Sequence, residues 1–284
     1  MRPFWKFLLA LPAVAAGGCT PGDVVNSLAP TDGYRLVADL PYGNAARQRL
    51  DLYIPTSATA LKPVVVFFYG GNWDSGEKAM YRFVGAALAE RGFVVVLPDY
   101  RIYPEVRYPG FLEDGAAATR WTLAQIAAYG GDPARVSLMG HSAGAYIALM
   151  LALDPEWLGP ERGRVRSAVG LAGPYDFLPL TDPTLQTIFG TSADLARTQP
   201  ITYADATAPP VLLATGRLDT TVSPGNVTRL AARLSAAGGT VRTEYYALLG
   251  HITLIGTLGE PLSRVTPVLD DVTQFLAEPG ADMH

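Results

Sequence analysis

Four short, unbroken apolar runs constrain the fold of this 284-residue chain more than any other feature of its sequence. They lie at residues 64–68, 93–97, 169–172 and 211–214. A strand that is apolar on both faces is typical of a parallel sheet, because helices cover such a sheet on both sides. The runs therefore predict a mainly parallel central sheet that is flanked by helices.

Helical patterns alternate with these runs and with further strands. Apolar residues recur at helical spacing near 227–234 and 265–276, and residues 143–153 are apolar on almost every side, as in a central buried helix. This alternation predicts one α/β domain over residues 34–277, followed by a tail at 278–284. Eight strands are predicted, at residues 34–40, 47–54, 63–69, 93–97, 136–139, 165–171, 211–215 and 241–248.

One stretch, residues 173–208, breaks this alternation with scattered Pro, Tyr, Phe and Leu residues. It predicts a small, lid-like insertion after the sixth strand. Its aromatic residues Tyr175 and Phe177, together with Trp73, are candidates for the wall of an apolar acyl or aryl pocket. The alternative is that the insertion forms only a packed satellite cluster.

The first residues have the layout of a bacterial export signal. Arg2 and Lys6 are followed by an apolar run at 7–16 and by small residues that lead directly into Cys19. The run is about half of the roughly 20 residues that a transmembrane helix needs. We therefore expect a signal peptide at residues 1–18 and a tether at 19–33.

Cys19 follows small residues in a pattern that resembles the lipobox of bacterial lipoproteins, although Ala16 stands where such boxes usually carry Leu. The resemblance implies a lipid on the Cys19 thiol and a membrane-anchored protein that faces the periplasm or the cell exterior. Ordinary cleavage after Ala15, which gives a soluble periplasmic or secreted protein, is the alternative.

Composition excludes several classes of protein and site. The formal net charge is −4, so no basic surface for nucleic acid is expected. The single Cys excludes an internal disulfide and any metal site built from a Cys cluster. Only three His are available to a histidine-dependent active site.

The segment Gly140-His141-Ser142-Ala143-Gly144 fits the pattern G-x-S-x-G. A predicted strand runs into it and a predicted helix leaves it, which is the setting that a nucleophile elbow requires. Ser142 is therefore the candidate nucleophile. A serine hydroxyl reacts only when a base takes its proton, so a His must lie close to it in the fold.

Elimination among the three His selects the base. His141 is adjacent to Ser142 and is expected to point away from the strand end, and His284 is the last residue of the chain. His251 remains, directly after the last predicted strand. We expect it to act as the base.

The carboxylate that orients the base is expected between the nucleophile and the base along the chain. Asp219 occupies this place, because it follows the predicted strand at 211–215. Asp176, Asp194 and Asp205 are its rivals. Position along the chain favours Asp219.

The oxyanion hole is expected in Tyr69-Gly70-Gly71-Asn72-Trp73, which ends the third predicted strand. Lipases and esterases carry a loop of the HGGG type at this place. We assign the donors to the backbone N–H groups of Gly71, Asn72 and Ala143.

With these motifs, the sequence resembles the α/β-hydrolase superfamily over most of residues 34–277. Within it, the chain is similar to bacterial esterases of the feruloyl-esterase-like and arylformamidase-like group. The resemblance implies the α/β-hydrolase fold, the triad Ser142, Asp219 and His251, and neither a metal ion nor an organic cofactor. The residues that carry it are Tyr69-Gly70-Gly71-Asn72-Trp73 with Gly76, Pro98-Asp99-Tyr100-Arg101, and Gly140-His141-Ser142-Ala143-Gly144 with Ala145.

The predicted activity is hydrolysis of a small-molecule carboxylic ester through an acyl-enzyme. Hydrolysis of an amide, as by an arylformamidase or peptidase, is an alternative that uses the same triad. A non-catalytic binding lipoprotein on a hydrolase fold is the alternative from a different class. Asp99 and Arg101 are expected to brace loops beside the site.

Overall fold

The computed structural model describes residues 21–56 and 60–280 of the chain. In these residues eight strands form one sheet with the order β1-β2-β4-β3-β5-β6-β7-β8. The predicted signal at 1–18, the predicted lipid site Cys19 and the terminal His284 lie outside the described residues. The strands are β1 Tyr34–Pro41, β2 Arg49–Pro55, β3 Lys62–Phe68, β4 Val94–Pro98, β5 Gly131–His141, β6 Val165–Leu171, β7 Val211–Gly216 and β8 Val241–Tyr246.

The sheet is antiparallel at one edge and parallel elsewhere. β1 pairs antiparallel with β2, β2 pairs antiparallel with β4, and the pairs from β4 to β8 are parallel. In its centre, Val66 of β3 pairs with Val96 of β4 and with Leu138 of β5. The strands predicted from unbroken apolar runs are buried along most of their length. The predicted mainly parallel sheet of about eight strands is confirmed.

Helices cover both faces of the sheet. All residues of α4 are buried, as its apolar sequence predicts. In the ranges that the structure describes, no helix is long and apolar enough to cross a membrane. The helices are α1 Pro21–Leu28, α2 Arg82–Glu90, α3 Gly110–Gln125, α4 Ala143–Leu153, α5 Pro155–Leu158, α6 Pro183–Phe189, α7 Gly225–Ala236, α8 His251–Gly256 and α9 Val268–Ala277.

Helix α1 differs from the predicted tether at 19–33. Asn26 of this helix docks on the start of α2: its side-chain oxygen accepts a hydrogen bond from the N–H of Phe83 at 3.0 Å, and its amide donates to the carbonyl of Ala79 at 2.9 Å. Arg82 also donates to the backbone carbonyl of Asn26, at 2.7 Å. The first N–H groups of a helix lack intrahelical partners, so Asn26 supplies one for α2. The prediction missed this because the partners are distant in sequence.

The predicted insertion at 173–208 lies between β6 and β7 and contains α6. It packs on helices α3 and α4 through a group of rings that we call the aromatic cluster. Tyr146 of α4 also donates a hydrogen bond to the carbonyl of Thr198 in the insertion, at 2.8 Å. The insertion is therefore fixed to the body of the domain. The cluster consists of Trp73, Tyr108, Phe111, Tyr146, Phe177 and Phe189.

Candidate active site

Ser142 occupies a sharp turn between β5 and α4. Its φ of 55° and ψ of −123° place it in a region that non-glycine residues rarely adopt. A Cβ on Gly144 would lie 2.0 Å from the carbonyl oxygen of Phe68, so only glycine lets α4 begin this close to β3. This strain and close packing hold the half-buried Ser142 side chain at the carboxyl edge of the sheet.

His251 is the first residue of α8, in the connection that follows β8. Its Nε2 lies 2.9 Å from Ser142 Oγ, a hydrogen-bond distance. The His251 side chain is largely buried. The structure thus brings together the two side chains that sequence analysis selected as nucleophile and base, which are 109 residues apart in the chain.

Asp219 follows β7 and is buried beside His251. Its Oδ2 lies 2.8 Å from His251 Nδ1, and its Oδ1 accepts the N–H groups of Thr221 at 2.9 Å and Val222 at 2.8 Å. These backbone donors fix the carboxylate, which in turn fixes the imidazole ring.

The three rival carboxylates are engaged elsewhere. Asp176 forms an ion pair with Arg229, Asp194 accepts the N–H of Ala196, and Asp205 accepts hydrogen bonds from Thr207. Each therefore has a structural partner in its own part of the fold.

The oxyanion loop, residues 69–76, runs directly beside the nucleophile. A Cβ on Gly70 would lie 2.9 Å from Ser142 Cβ. Asn72 and Trp73 have φ angles of 51° and 58°, so the loop is strained at two successive non-glycine residues, and Gly71 before them has a φ of 140° that glycine adopts freely. Within the described part of the chain, the N–H groups of Gly71, Asn72 and Ala143 have no hydrogen-bond acceptor. Donors left free beside a nucleophile can stabilise a developing oxyanion.

A polar brace lies beneath the oxyanion loop. The Arg47 guanidinium donates to the carbonyl of Tyr100 at 2.8 Å, to the hydroxyl of Tyr69 at 2.7 Å and to the carbonyl of Gly76 at 2.6 Å. The Tyr100 hydroxyl donates to the carbonyl of Tyr69 at 2.7 Å. Burial raises the pKa of the Tyr69 hydroxyl, so this group stays protonated.

Asp99 and Arg101 act as braces, as predicted. Asp99 accepts the N–H of Lys78 at 2.7 Å, and burial raises the pKa of its carboxyl group. The Arg101 guanidinium forms a bidentate ion pair with the buried carboxylate of Asp114, with an Nη2 to Oδ1 distance of 2.7 Å. Both residues tie β4 to neighbouring segments, and neither contacts the triad.

The expectation that the His141 side chain points away from the strand end is wrong, because this side chain lies against the base. Its ring lies against the ring of His251, with 4.8 Å between centroids, and its Nε2 lies 3.2 Å from the backbone oxygen of His251. Burial, with a further contribution from His251, lowers the pKa of His141 to about 3. No local sequence signal indicates this contact, because it depends on where α8 begins.

The three candidate pocket residues lie in two different parts of the structure: Trp73 and Phe177 in the aromatic cluster, and Tyr175 beside β6. Trp73 is buried in the aromatic cluster and stacks at 6.1 Å on the half-buried ring of Phe177. Tyr175 is fully buried, and its ring packs against the backbone of Gly170 and Gly173. The prediction that Tyr175 lines a pocket is wrong, because its ring fills the core beside β6.

Acidic, His and Cys side chains are the usual protein ligands of a metal ion. Residues 21–56 and 60–280 contain no group of three or more such side chains that is arranged to hold a metal ion.

Comparison with known proteins relates the chain to esterases. The profile of the family described as BD-FAE matches residues 50–234. The chain is 31% identical over 300 residues to the probable carboxylic ester hydrolase LipM of Mycobacterium tuberculosis, which covers 96% of this chain and 68% of that protein.

Two shorter matches involve other hydrolases. The chain is 40% identical over 149 residues to a probable isoprenylcysteine alpha-carbonyl methylesterase of Oryza sativa subsp. japonica, with coverage of 50% of this chain and 35% of that protein. It is 31% identical over 143 residues to kynurenine formamidase of Danio rerio, with coverage of 50% and 47%. The chain thus spans between about a third and a half of the length of these relatives.

The fold is shared with a solved esterase structure. A truncated carbohydrate esterase from gut microbiota superposes with a TM-score of 0.75 at 20% sequence identity, covering 88% of this chain and 98% of that one. Together with the strand order, this likeness confirms the predicted α/β-hydrolase fold.

Proposed function

This chain belongs to the BD-FAE family of α/β-hydrolases, and from that premise we propose that it hydrolyses carboxylic esters through an acyl-enzyme on Ser142. The observation that carries the proposal is the continuous chain from Ser142 Oγ through the His251 ring to Asp219, with distances of 2.9 and 2.8 Å. This arrangement allows a base to take the serine proton while a carboxylate stabilises the resulting imidazolium.

The reaction has two steps. Ser142 Oγ attacks the ester carbonyl carbon while His251 Nε2 takes the hydroxyl proton. His251 then gives this proton to the oxygen of the leaving alcohol, and the acyl group stays on Ser142. A water molecule, deprotonated by His251, then attacks the acyl carbon. The bond to Ser142 Oγ breaks, His251 returns the proton to this oxygen, and the acid leaves. Asp219 holds the imidazole in the tautomer that each step requires.

Negative charge develops on the carbonyl oxygen in both steps. The N–H groups of Gly71, Asn72 and Ala143 have no acceptor within the described residues. Gly71 and Asn72 follow Gly70, which lies against Ser142, and Ala143 follows Ser142 as the first residue of α4. A helix N-terminus favours an anion, which adds to the two donors of the oxyanion loop. Donors that are already fixed need no reorganisation when the charge appears.

The substrate class follows from the rings beside the oxyanion loop. Trp73 directly follows the donor Asn72 and contacts Phe177 of the insertion. Phe177 keeps part of its ring accessible. We therefore place an apolar acyl or aryl group of a small ester against the accessible part of Phe177, whose ring stacks on the buried Trp73. Hydrolysis rates over a series of acyl-chain lengths and of aryl and sugar leaving groups would test this placement.

Hydrolysis of a formamide or another amide is the second candidate activity. The match to kynurenine formamidase favours it, since that relative is named for amide cleavage. The same triad serves both reactions. Turnover of an ester and an amide with the same acyl group would separate the two activities.

A lipid on Cys19 and a position on the exported side of a membrane are a separate proposal. It is supported by the sequence alone, through the charged start, the apolar run and the small residues before Cys19. Mass spectrometry of the mature protein tests it. A mass that corresponds to an unmodified Cys19 would contradict lipidation.

The esterase proposal is tested by replacing the nucleophile. Ser142→Ala should lower kcat on a short p-nitrophenyl ester by roughly 10⁴–10⁶. Ser235→Ala, an exposed position on α7, is the matched control and should keep the wild-type rate. Retention of more than a tenth of the activity by Ser142→Ala would refute the proposal. A fluorophosphonate should label Ser142, whereas a non-catalytic binding protein would not react.

A further inference from the structure

We propose that His141 is a positioning residue for the reaction: it fixes the backbone of the base His251 relative to the oxyanion loop through a chain of hydrogen bonds that runs in one direction. The chain begins at the N–H of Gly70, passes through the Tyr81 hydroxyl and the His141 ring, and ends at the backbone oxygen of His251. This inference rests on the proposed function, because it assigns His141 a part in the chemistry of Ser142 and His251.

The two ends of this chain of hydrogen bonds determine which group donates in each bond. The Gly70 N–H can only donate, and it lies 3.2 Å from the Tyr81 hydroxyl oxygen. The His251 carbonyl can only accept, and it lies 3.2 Å from His141 Nε2. His141 therefore carries its proton on Nε2, which leaves Nδ1 to accept from the Tyr81 hydroxyl at 3.4 Å. One neutral tautomer of His141 satisfies all three contacts.

Burial keeps both side chains in the required protonation state. The His141 ring is 1% exposed, and it is faced by Tyr81 from the turn Lys78–Tyr81 and by His251 from α8. Burial lowers the pKa of His141 to about 3 and raises the pKa of Tyr81 to about 12. At neutral pH, Tyr81 thus has a proton to donate and His141 has a free Nδ1 to accept it.

A neutral ring is also what the reaction needs at this position. His251 becomes an imidazolium when it takes the Ser142 proton. A second cation 4.8 Å away would oppose that step by charge repulsion. Neutral His141 instead donates a hydrogen bond to the backbone of His251 without adding charge. It fixes the base while leaving its proton transfer undisturbed.

The chain connects the two segments whose relative position decides catalysis. Gly70 belongs to the oxyanion loop, and a Cβ placed on it would lie 3.1 Å from His141 Nδ1, so the loop and the ring are in close contact. His251 carries the base on the other side of the ring. A misplacement of about 1 Å between reacting groups can cost roughly 100-fold in rate. His141 sets this spacing from beneath the nucleophile.

Two variants of His141 separate its two hydrogen bonds. His141→Gln places an amide N–H near the position of Nε2 and keeps the bond to the His251 carbonyl. His141→Asn places its amide near Nδ1, where it can contact Tyr81, and loses the bond to His251. Both variants remove one polar contact from the same buried site, so each is the other's control for stability.

We expect His141→Asn to lower kcat by about 10-fold to 100-fold with KM within about twofold of wild type. His141→Gln should keep kcat within about threefold of wild type, and the two variants should have similar melting temperatures. Equal loss of kcat in both variants, or a kcat for His141→Asn within about twofold of wild type, would overturn the proposal.

The tautomer gives a test that does not depend on the folding of a variant. Long-range ¹H–¹⁵N NMR of the wild-type protein should show His141 protonated on Nε2 at neutral pH. A signal from the Nδ1–H tautomer would overturn the proposal. Ser142→Ala, measured alongside, distinguishes failure of the esterase proposal from failure of the role of His141. Full activity of Ser142→Ala refutes the esterase proposal. Loss of activity in Ser142→Ala combined with a normal kcat in His141→Asn refutes only the role of His141.

Discussion

The oxyanion loop and the segment that carries the base flank the same serine but are held in different ways. The oxyanion loop is strained at Asn72 and Trp73. It rests on the Arg47 guanidinium and on stacked tyrosines, with 4.6 Å between the ring centroids of Tyr69 and Tyr100. Charge-assisted hydrogen bonds of this kind are among the stronger ones in proteins.

In the base loop, which we define as residues 247–252, the backbone rests on neutral contacts. Leu249 accepts the N–H of Leu218 at 3.0 Å, and the Gly250 N–H donates to the Thr253 hydroxyl at 2.7 Å. Leu248 and Ile252 are 83% and 55% exposed. His251 itself is held through its ring by Asp219 and Ser142 and through its carbonyl by His141.

This difference follows from what each loop would contribute to the proposed reaction. The oxyanion loop contributes backbone N–H groups, whose positions depend entirely on the main chain. Its strained conformation therefore needs a rigid support. The base loop contributes a side chain, which neighbouring side chains can orient directly. We infer that the oxyanion loop depends on its brace for stability, whereas the base loop depends on contacts to the His251 ring and carbonyl.

The largest expected effect is a loss of kcat when the carboxylate that holds the ring of His251 is replaced. Asp219→Asn should lower kcat by about 10³–10⁴, because an amide in place of the carboxylate favours the wrong tautomer of His251. Steady-state hydrolysis of a p-nitrophenyl ester measures it. Asp176→Asn is the matched control and should stay within about twofold of wild type, since its partner is Arg229. A larger loss in Asp176→Asn would reverse the assignment of the acid.

A somewhat smaller loss is expected when the oxyanion loop is distorted. Gly71→Ala introduces a Cβ that would lie 2.2 Å from the carbonyl of Ser75, at a φ of 140°. The loop must shift, and kcat should fall by about 10²–10³, as on loss of one oxyanion donor. Gly92→Ala has the same unfavourable sign of φ but open space around it, so it should leave kcat unchanged. An active Gly71→Ala enzyme would show that the loop does not supply the donors.

Removal of the brace tests the difference in stability directly. Arg47→Met leaves three acceptors without their charged donor and should lower the free energy of unfolding by about 2–3 kcal/mol. Leu248→Ser on the base loop should change it by less than about 0.5 kcal/mol, because the side chain is exposed. Urea denaturation measures both. Similar losses in the two variants would show that the loops are held alike.

The smallest effect, counted per pH unit, is a pH dependence of the free energy of unfolding. It arises from His141, whose ring lies against the ring of His251 in the base loop. Burial lowers the pKa of His141 to about 3 from an ordinary value of 6.5. Between these two pH values the unfolded chain therefore binds a proton that the folded protein does not bind. The stability due to neutral His141 is complete above pH 6.5 and declines below it, by about 1.4 kcal/mol per pH unit. In His141→Gln this contribution is absent. Unfolding free energies of both proteins between pH 5 and pH 8 should therefore converge as the pH falls, and parallel curves would contradict the assignment.

Local patterns predicted much of the fold and of the site. The central strands could be found because unbroken apolar runs identify strands covered on both faces. Ser142 could be found because its turn has its own glycine pattern between a strand and a helix. Asp219 and His251 followed from chain order and from the scarcity of His, and the structure places both in one hydrogen-bonded chain with Ser142.

Contacts between distant segments could not be predicted in the same way. Asn26 supports α2 from a stretch whose composition indicates a loop, and its partner Phe83 lies 57 residues away. Tyr175 is an aromatic residue in the insertion and so is a candidate for the pocket wall on sequence grounds, but its ring packs against β6. The position of His141 depends on three segments at once: the oxyanion loop, the turn before α2 and the start of α8. No single stretch of sequence contains that information.

The parts of the proposed site lie at the ends of four different strands: Gly71 and Asn72 follow β3, Ser142 follows β5, Asp219 follows β7 and His251 follows β8. Proteins dominated by contacts between distant residues fold slowly, because long loops must close before those contacts form. The first two parts come together when β3 pairs with β5, but His251 arrives only with β8, the last strand among the described residues. Recovery of catalysis during refolding would therefore time the completion of the sheet. A nascent chain that lacks β8 would carry Ser142 without the base that is proposed to deprotonate it.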